Sequence, residues 1–376
     1  MPLRASHRAV YTVTACTALA LLGDNTLYAV LPASHDRIGL ALWQVGWMLS
    51  FNRLARIPLN LPSGWLSDRY GPRTPFVVGV TLGCLSTLGY AVARPFWLLL
   101  ALRALWGVAW ALLVVAAYGL VLDVSAPEER GRMTGLYASG SFFGSAIGTM
   151  IGGFIMDALG FRPGMAILGA CTALGVVGAL TLPKTPRHAK GEQPVPAPRA
   201  PLGATLRALD ARLWLIWGLS FAHRFFFAGI FYSTLGLYLR TALGDQVRLG
   251  AALIGVASLT ATLMLVRNLV TVLVGPGLGY LSDRLGDRAR VLALGEVLGV
   301  AALLVLSLQG SLWLVSLGVV LAAAAYGIVP PMLVSWMGDL TQPGTRGLVV
   351  GGYQTLGDVG SGLGPLLAYA LVSWAG

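Results

Sequence analysis

Apolar residues run in long blocks along this chain, and polar residues gather in the short stretches between them. A helix that crosses a bilayer needs about 20 mostly apolar residues. By that measure apolar segments fall at about 9–31, 41–66, 74–93, 95–121, 132–158 and 163–183. After a polar break they resume at about 213–240, 250–281, 290–308, 311–338 and 346–373. The break, Lys184 to Arg212, contains KTPRHAKGEQPVPAPRAP. It is rich in proline and basic residues and reads as a solvated, extended linker. The pattern predicts an all-α integral membrane protein in three parts: an N-terminal six-helix bundle at 1–183, a cytoplasmic linker at 184–212 and a C-terminal bundle of five helices at 213–376.

The two halves repeat. GWLSDRYGPR at Gly64–Arg73 returns as GYLSDRLGDR at Gly279–Arg288, 215 residues later. ERGRMTGLYASGSFFGSAIG from Glu129 aligns with TRGLVVGGYQTLGDVGSGLG from Thr345, 216 residues later. Repeated bundles of this kind mark transporters that alternate access around a central site. On this register Gly376 corresponds to Gly160, so about 11 spans are expected, with the twelfth missing. The C-terminus is then expected outside.

Composition agrees. Charged residues are 11% and hydrophobic residues 56%, against roughly 25% charged in soluble domains. The net charge of +11 is scattered between apolar runs, so it does not point to nucleic acid. It is sorted by loop. With a cytoplasmic N-terminus, the cytoplasmic loops collect most arginines and lysines, as the positive-inside rule requires. The first apolar run follows Arg4 and Arg8 but is too long for a signal peptide. Cys16, Cys84 and Cys171 lie in separate runs without ligand spacing.

The repeated phrase matches G-x-L-x-D-R-x-G-x-R, the loop motif of the major facilitator superfamily, and the chain resembles that family over nearly its whole length. The resemblance implies two pseudo-symmetric bundles of transmembrane helices. It also implies that the hairpins gate the cytoplasmic side, through Gly64, Asp68, Arg69, Gly71 and Arg73 and through Gly279, Asp283, Arg284, Gly286 and Arg288. RALWG in the fourth span looks like the R-x-x-x-G motif of proton-coupled members, with Arg103 and Gly107. The fifth span, with Gly135, Gly144, Gly148, Gly152 and Gly153, resembles the signature of drug/proton antiporters. Thr149 stands where that signature has proline, and the eleventh span keeps Gly360, Gly364 and Pro365. Glycines four apart also form a stripe for close helix packing.

Charges at membrane depth are costly and point to function. The acids are Asp24, Glu296 and Asp358. Asp24 is the candidate proton carrier, with Arg103 as its tuner, and a static Asp24–arginine pair is the competing reading. Glu296 lies near the cytoplasmic end of a peripheral span and is expected to snorkel. The bases Arg53, Arg56, Arg224 and Arg267, with Asp358, are candidate substrate-binding groups. Arg53 and Arg267 both sit about 16–18 Å above the cytoplasmic face and loosely resemble the anion-binding arginines of nitrate-type members. Trp43, Trp47, Trp106, Trp110, Phe225, Phe226, Phe227, Tyr232 and Trp336 are candidate pocket aromatics.

No phosphate loop, zinc spacing or ordered nucleophile occurs, so no enzyme, metal or cofactor is expected. Three functions stay open. The first is proton-coupled export of small amphipathic compounds across the cell inner membrane. The second is transport of organic or inorganic anions. The third is a transport-inactive or truncated membrane protein. The expected partners are a small-molecule substrate, protons and the lipid bilayer, in a monomer or weak homodimer.

Overall fold

The computed structural model describes residues 3–124, 130–183, 209–249, 252–285, 288–308, 311–340 and 346–375. The linker 184–208 and Gly286 lie outside the described residues, as do the side chains of Asp68, Asp283 and Arg284. The N-terminal half comprises α1 (Leu3–Ile38), α2 (Leu42–Arg56), α3 (Asn60–Tyr70), α4 (Arg73–Val92), α5 (Phe96–Val124), α6 (Arg130–Leu159) and α7 (Phe161–Leu180). The C-terminal half begins with α8 (Ala211–His223), a π-helical segment (Arg224–Phe231) and α9 (Tyr232–Leu243). A short antiparallel hairpin of β1 (Gln246–Leu249) and β2 (Ala252–Gly255) leads into α10 (Val256–Leu285). The half closes with α11 (Arg288–Ser307), α12 (Leu312–Leu340) and α13 (Arg346–Ala375).

Among the described residues, nine helices are long and apolar enough to cross a membrane. Two further rods, α2–α3 and α13, pack between them and carry Arg53, Arg56 and Asp358. The 3₁₀ turn leaves α2 and α3 each shorter than a span, and α13 carries Asp358 among its glycines. Outward-facing leucine, valine and phenylalanine side chains coat the bundles, as a lipid solvent requires. Buried side chains gather where helices meet in each half and where the halves touch.

Three local features differ from the expected pattern. The second span is broken by a 3₁₀ turn at Ile57–Leu59, where Pro58 cannot donate a backbone hydrogen bond. The repeated hairpins are mostly helical: residues 64–70 end α3 and residues 279–285 end α10, so the first turn shrinks to Gly71 and Pro72. Gly71 adopts φ +77°, a conformation that side-chain-bearing residues rarely take. The seventh span contains the π segment, which the apolar pattern does not reveal. At its centre, a Cβ on Gly229 would lie 2.9 Å from Gly364 Cα, so the two backbones touch.

The glycine stripe of α6 does what small residues do between membrane helices. Cβ atoms at Gly144, Gly148 and Gly152 would collide with Ala18, Leu22 and Thr26 of α1. Gly153 faces Ala257 and Ala261 of α10, across the bundle boundary. Gly360 meets Phe221 O, and Pro365 O lies against Gly46 of α2. Gly135 lies in the first turns of α6.

The bundles also meet at the end of the molecule that carries Asp36, here called the Asp36 face. Arg240 grips both carboxylate oxygens of Asp36 at 2.7 Å and bonds Asp245 at 2.8 Å. Arg37 reaches Asp245 at 3.1 Å. Deeper, Asp157 of α6 accepts from the Ser258 amide and hydroxyl at the start of α10. These contacts close the Asp36 face.

That closure is testable. A Cβ on Gly236 would lie 3.4 Å from the Ala33 Cβ, close to the separation of about 3.8 Å in disulfides. With Cys16, Cys84 and Cys171 replaced by alanine, Ala33→Cys with Gly236→Cys should form a disulfide under mild oxidation in membranes. Protection of both thiols from maleimide reads the bond. Full labelling of both after oxidation would show that the closed Asp36 face is not populated.

Candidate functional site

A polar cavity of about 200 Å³ lies between the bundles. From the N-terminal half it is lined by Asp24 and Tyr28 of α1, Asn52, Arg53 and Arg56 of α2, and Trp106 and Trp110 of α5. From the C-terminal half come Arg224, Ala228, Tyr232, Tyr326, Asp358 and Ser361. The spacing explains the first set. Asp24 and Tyr28 are four apart on α1, and Asn52 and Arg56 are four apart on α2, so each pair shares a helix face. A larger groove of about 540 Å³ runs outside the bundle along α1 and α7, lined by Tyr11, Leu19 and Leu174. It lies away from the bundle boundary and no acid lines it, whereas the smaller cavity gathers acids and arginines from both halves.

The N-terminal wall centres on a buried ion pair. Arg103 is fully buried and donates from Nη1 to Asp24 Oδ1. Its Nε donates to Met48 O at 2.7 Å. Asn52 Nδ2 donates to the same Asp24 oxygen at 3.3 Å. The Arg103 guanidinium also lies 5.5 Å from the Tyr28 ring centroid. The R-x-x-x-G spacing has a packing reason. A Cβ on Gly107 would sit 2.5 Å from Asn52 O, so glycine lets α5 approach α2 closely enough for Arg103 to reach Met48 and Asp24.

The second acid is shared across the boundary. Arg56 binds Asp358 with two nitrogens, its Nε at 3.2 Å. Arg224 approaches the same carboxylate at 3.9 Å and donates to Gln354 at 2.9 Å. Arg53 instead donates to two carbonyls of the opposite bundle, Ala228 O and Ser361 O, each at 2.8 Å. The π segment makes this possible. In an α-helix the Tyr232 amide would serve Ala228 O, but here it bonds Phe227 O, five residues back. Arg53 supplies the donor that Ala228 would have had.

Arg53 and Arg267 do not meet. The Arg53 guanidinium lies 5.2 Å from the Tyr28 ring centroid, Tyr28 is 4.8 Å from Tyr232, and Arg267 lies 5.0 Å from Tyr232. Arg267 also packs on Tyr326 at 4.7 Å and bonds Asn268. Two tyrosine rings thus separate the arginines in this conformation.

Of the candidate pocket aromatics, Trp106, Trp110 and Tyr232 line the cavity. Trp43, Trp47 and Phe226 are exposed on the bundle surface, as interface or lipid-facing aromatics are. Phe225 stacks on Phe221, and Phe227 packs on His223. Trp336 packs against the buried cluster of the C-terminal half. Tyr28, Asn52 and Tyr326 are cavity residues that the motif search missed. Tyr28 was findable as the residue one turn beyond Asp24.

Among the described residues, the hairpin arginines Arg73 and Arg288 bond inside their own bundles. Arg73 donates to Leu180 O and Leu182 O at 2.7 Å, capping the end of α7. Arg288 pairs with Asp339 near the end of α12 at 2.6 Å. Arg69 is exposed and stacks over Tyr70.

Two bundles of membrane-length helices around one polar cavity make a multi-pass membrane protein. The Major Facilitator Superfamily profile matches residues 13–274 and 259–376, and the chain belongs to that family. The puromycin resistance protein pur8 of Streptomyces alboniger is 32% identical over 177 residues, 46% of this chain and 35% of pur8. The multidrug resistance protein MdtH of Yersinia pestis is 29% identical over 140 residues, 37% of this chain and 35% of MdtH. The chain thus spans about a third of the length of these relatives. Its fold is similar to that of the nucleoside transporter NupG, with a TM-score of 0.78 at 14% identity over 97% of this chain and 92% of NupG.

The Asp24–Arg103 pair yields a stability prediction. Arg103→Ala leaves a buried carboxylate unpaired and should destabilise by about 3–5 kcal/mol. Asp24→Asn combined with Arg103→Gln should cost clearly less than the sum of the single changes. Thermal unfolding in detergent measures all four variants: Arg103→Ala, the two single changes and the double change. Strict additivity would show that the two side chains are not coupled.

Proposed function

We propose that this chain is a proton-coupled secondary transporter that exports small amphipathic compounds by alternating access. The observation that carries the reading is an acid at the edge of the central cavity, Asp24, held by the buried Arg103 and by Asn52. An acid so placed borders the cavity and can exchange a proton with it, and Arg103 is the charge beside it. The drug-resistance names of pur8 and MdtH support export. The domain scheme is two bundles, 1–183 and 213–376, joined by a cytoplasmic linker in the cell inner membrane. With the N-terminus cytoplasmic, the Asp36 face is external and is closed here.

Anion transport is the second reading, and one observation favours it. Among the described residues neither Arg53 nor Arg267 has a carboxylate within ion-pair distance. Guanidinium suits carboxylates and oxyanions. On this reading a rearrangement of the tyrosines between them brings both arginines to one ligand.

Proteoliposomes with an imposed pH gradient separate the readings. On the export reading, puromycin accumulates against its gradient, and Asp24→Asn abolishes that accumulation while leaving downhill exchange. Unchanged pH dependence in Asp24→Asn would remove Asp24 as the proton carrier. On the anion reading, small organic carboxylates accumulate instead, and Arg53→Lys with Arg267→Lys lose binding non-additively. Zero flux of every solute from folded protein would favour a transport-inactive membrane protein.

The hairpin motif carries a gating proposal. Asp68→Asn should slow flux at least several-fold with near-normal thermal stability, because the carboxylate pairs with arginines and helix ends when the cytoplasmic side closes. Wild-type flux in that variant would refute the role.

A further inference from the structure

His223 is buried inside the C-terminal bundle, its side chain only 1% exposed. Among the described residues neither ring nitrogen has a hydrogen-bond partner. A buried polar group without a partner loses its hydration and gains nothing in return. The ring is held by two aromatic neighbours, Phe227 at 4.8 Å and Tyr326 at 5.5 Å between centroids. Its Nδ1 lies 3.6 Å from Oε1 of Glu296 on α11. That carboxylate is 37% exposed on the outer side of the bundle. Tyr326 lines the central cavity on one side and packs on His223 on the other.

We propose that His223 and Glu296 form a proton-binding pair one aromatic ring behind the cavity wall. The neutral imidazole accepts a proton at its lone-pair nitrogen, with the Glu296 carboxylate as its counter-charge. A movement of a few tenths of an ångström then closes a charge-assisted hydrogen bond. The other groups that act on the ring are identified. Burial opposes the imidazolium most, Glu296 favours it, and Arg224 in the π segment and Arg267 of α10 oppose it. Tyr326 on α12 presents a ring. On α13, which packs against α8, Asp358 binds Arg56 and Arg224.

The position gives the proton a structural consequence. His223 ends α8, and Arg224 opens the π segment. A charge on His223 repels Arg224, the guanidinium that shares Asp358 with Arg56 across the bundle boundary. Proton uptake thus biases the contact that joins the halves at the cavity. This holds whether or not transport is driven by protons, and whichever substrate is carried.

The test reads the proton directly. The chain has four histidines: His7, His35, His188 and His223. ¹³C-labelled histidine resonances of the purified full chain in detergent are followed from about pH 5 to pH 9, the range in which histidine changes charge. The His223 signal is the one lost in His223→Gln. If that variant does not fold, it is the one kept when His7, His35 and His188 are all changed to glutamine. The signal should titrate within the range. In Glu296→Gln it should bind its proton about tenfold more weakly, since the opposite charge is gone. A His223 resonance that never shifts would overturn the proposal. So would one that titrates identically with and without the Glu296 charge.

Discussion

The cost of placing charge inside a membrane governs this structure. Every arginine at membrane depth has found a specific solution. Arg103 takes a carboxylate and a backbone carbonyl while fully buried. Arg56 and Arg224 share one aspartate. Arg53 takes two carbonyls, and Arg267 takes an asparagine oxygen and two tyrosine faces. Hydrocarbon offers none of these partners, so the arginines turn inward and draw the helices that carry their partners around one polar space.

That arrangement makes the boundary between the bundles both an interface and the lining of the polar cavity. At the Asp36 face, charged side chains join the halves where water can reach them. Near the cavity the join is made by arginine–carbonyl and arginine–aspartate contacts that a ligand or a proton can compete for. Elsewhere glycine lets backbones touch, as between Gly229 and Gly364. Contacts that are strong yet exchangeable suit bundles that rock against each other.

The π segment ties these features together. Its register leaves Ala228 O for Arg53, it begins at Arg224, and it follows His223 directly. Local π geometry inside a longer helix is frequently found at functional positions. Here one irregular stretch of helix contacts the acid, the arginines and the buried histidine.

Much of this was legible in the chain. Long apolar blocks dictate helices because a backbone in lipid must satisfy its own hydrogen bonds. The repeated hairpin phrase gives two halves, and the scarcity of charge within the spans isolates Asp24, Arg103, Arg53 and Asp358 as residues with a purpose. The α6 glycines were readable as a packing stripe because their spacing alone puts them on one face. Partnerships were not readable. Linear spacing cannot say that Arg56 rather than Arg53 meets Asp358, nor that two tyrosines stand between Arg53 and Arg267, because these contacts join residues from distant parts of the chain. The π segment has no local signature either; in the structure it coincides with the close approach of Gly364 from α13 to Gly229. His223 went unread among the charged residues because a lone neutral imidazole carries no pattern. Only the packing of Phe227, Tyr326 and Glu296 around it makes it distinctive.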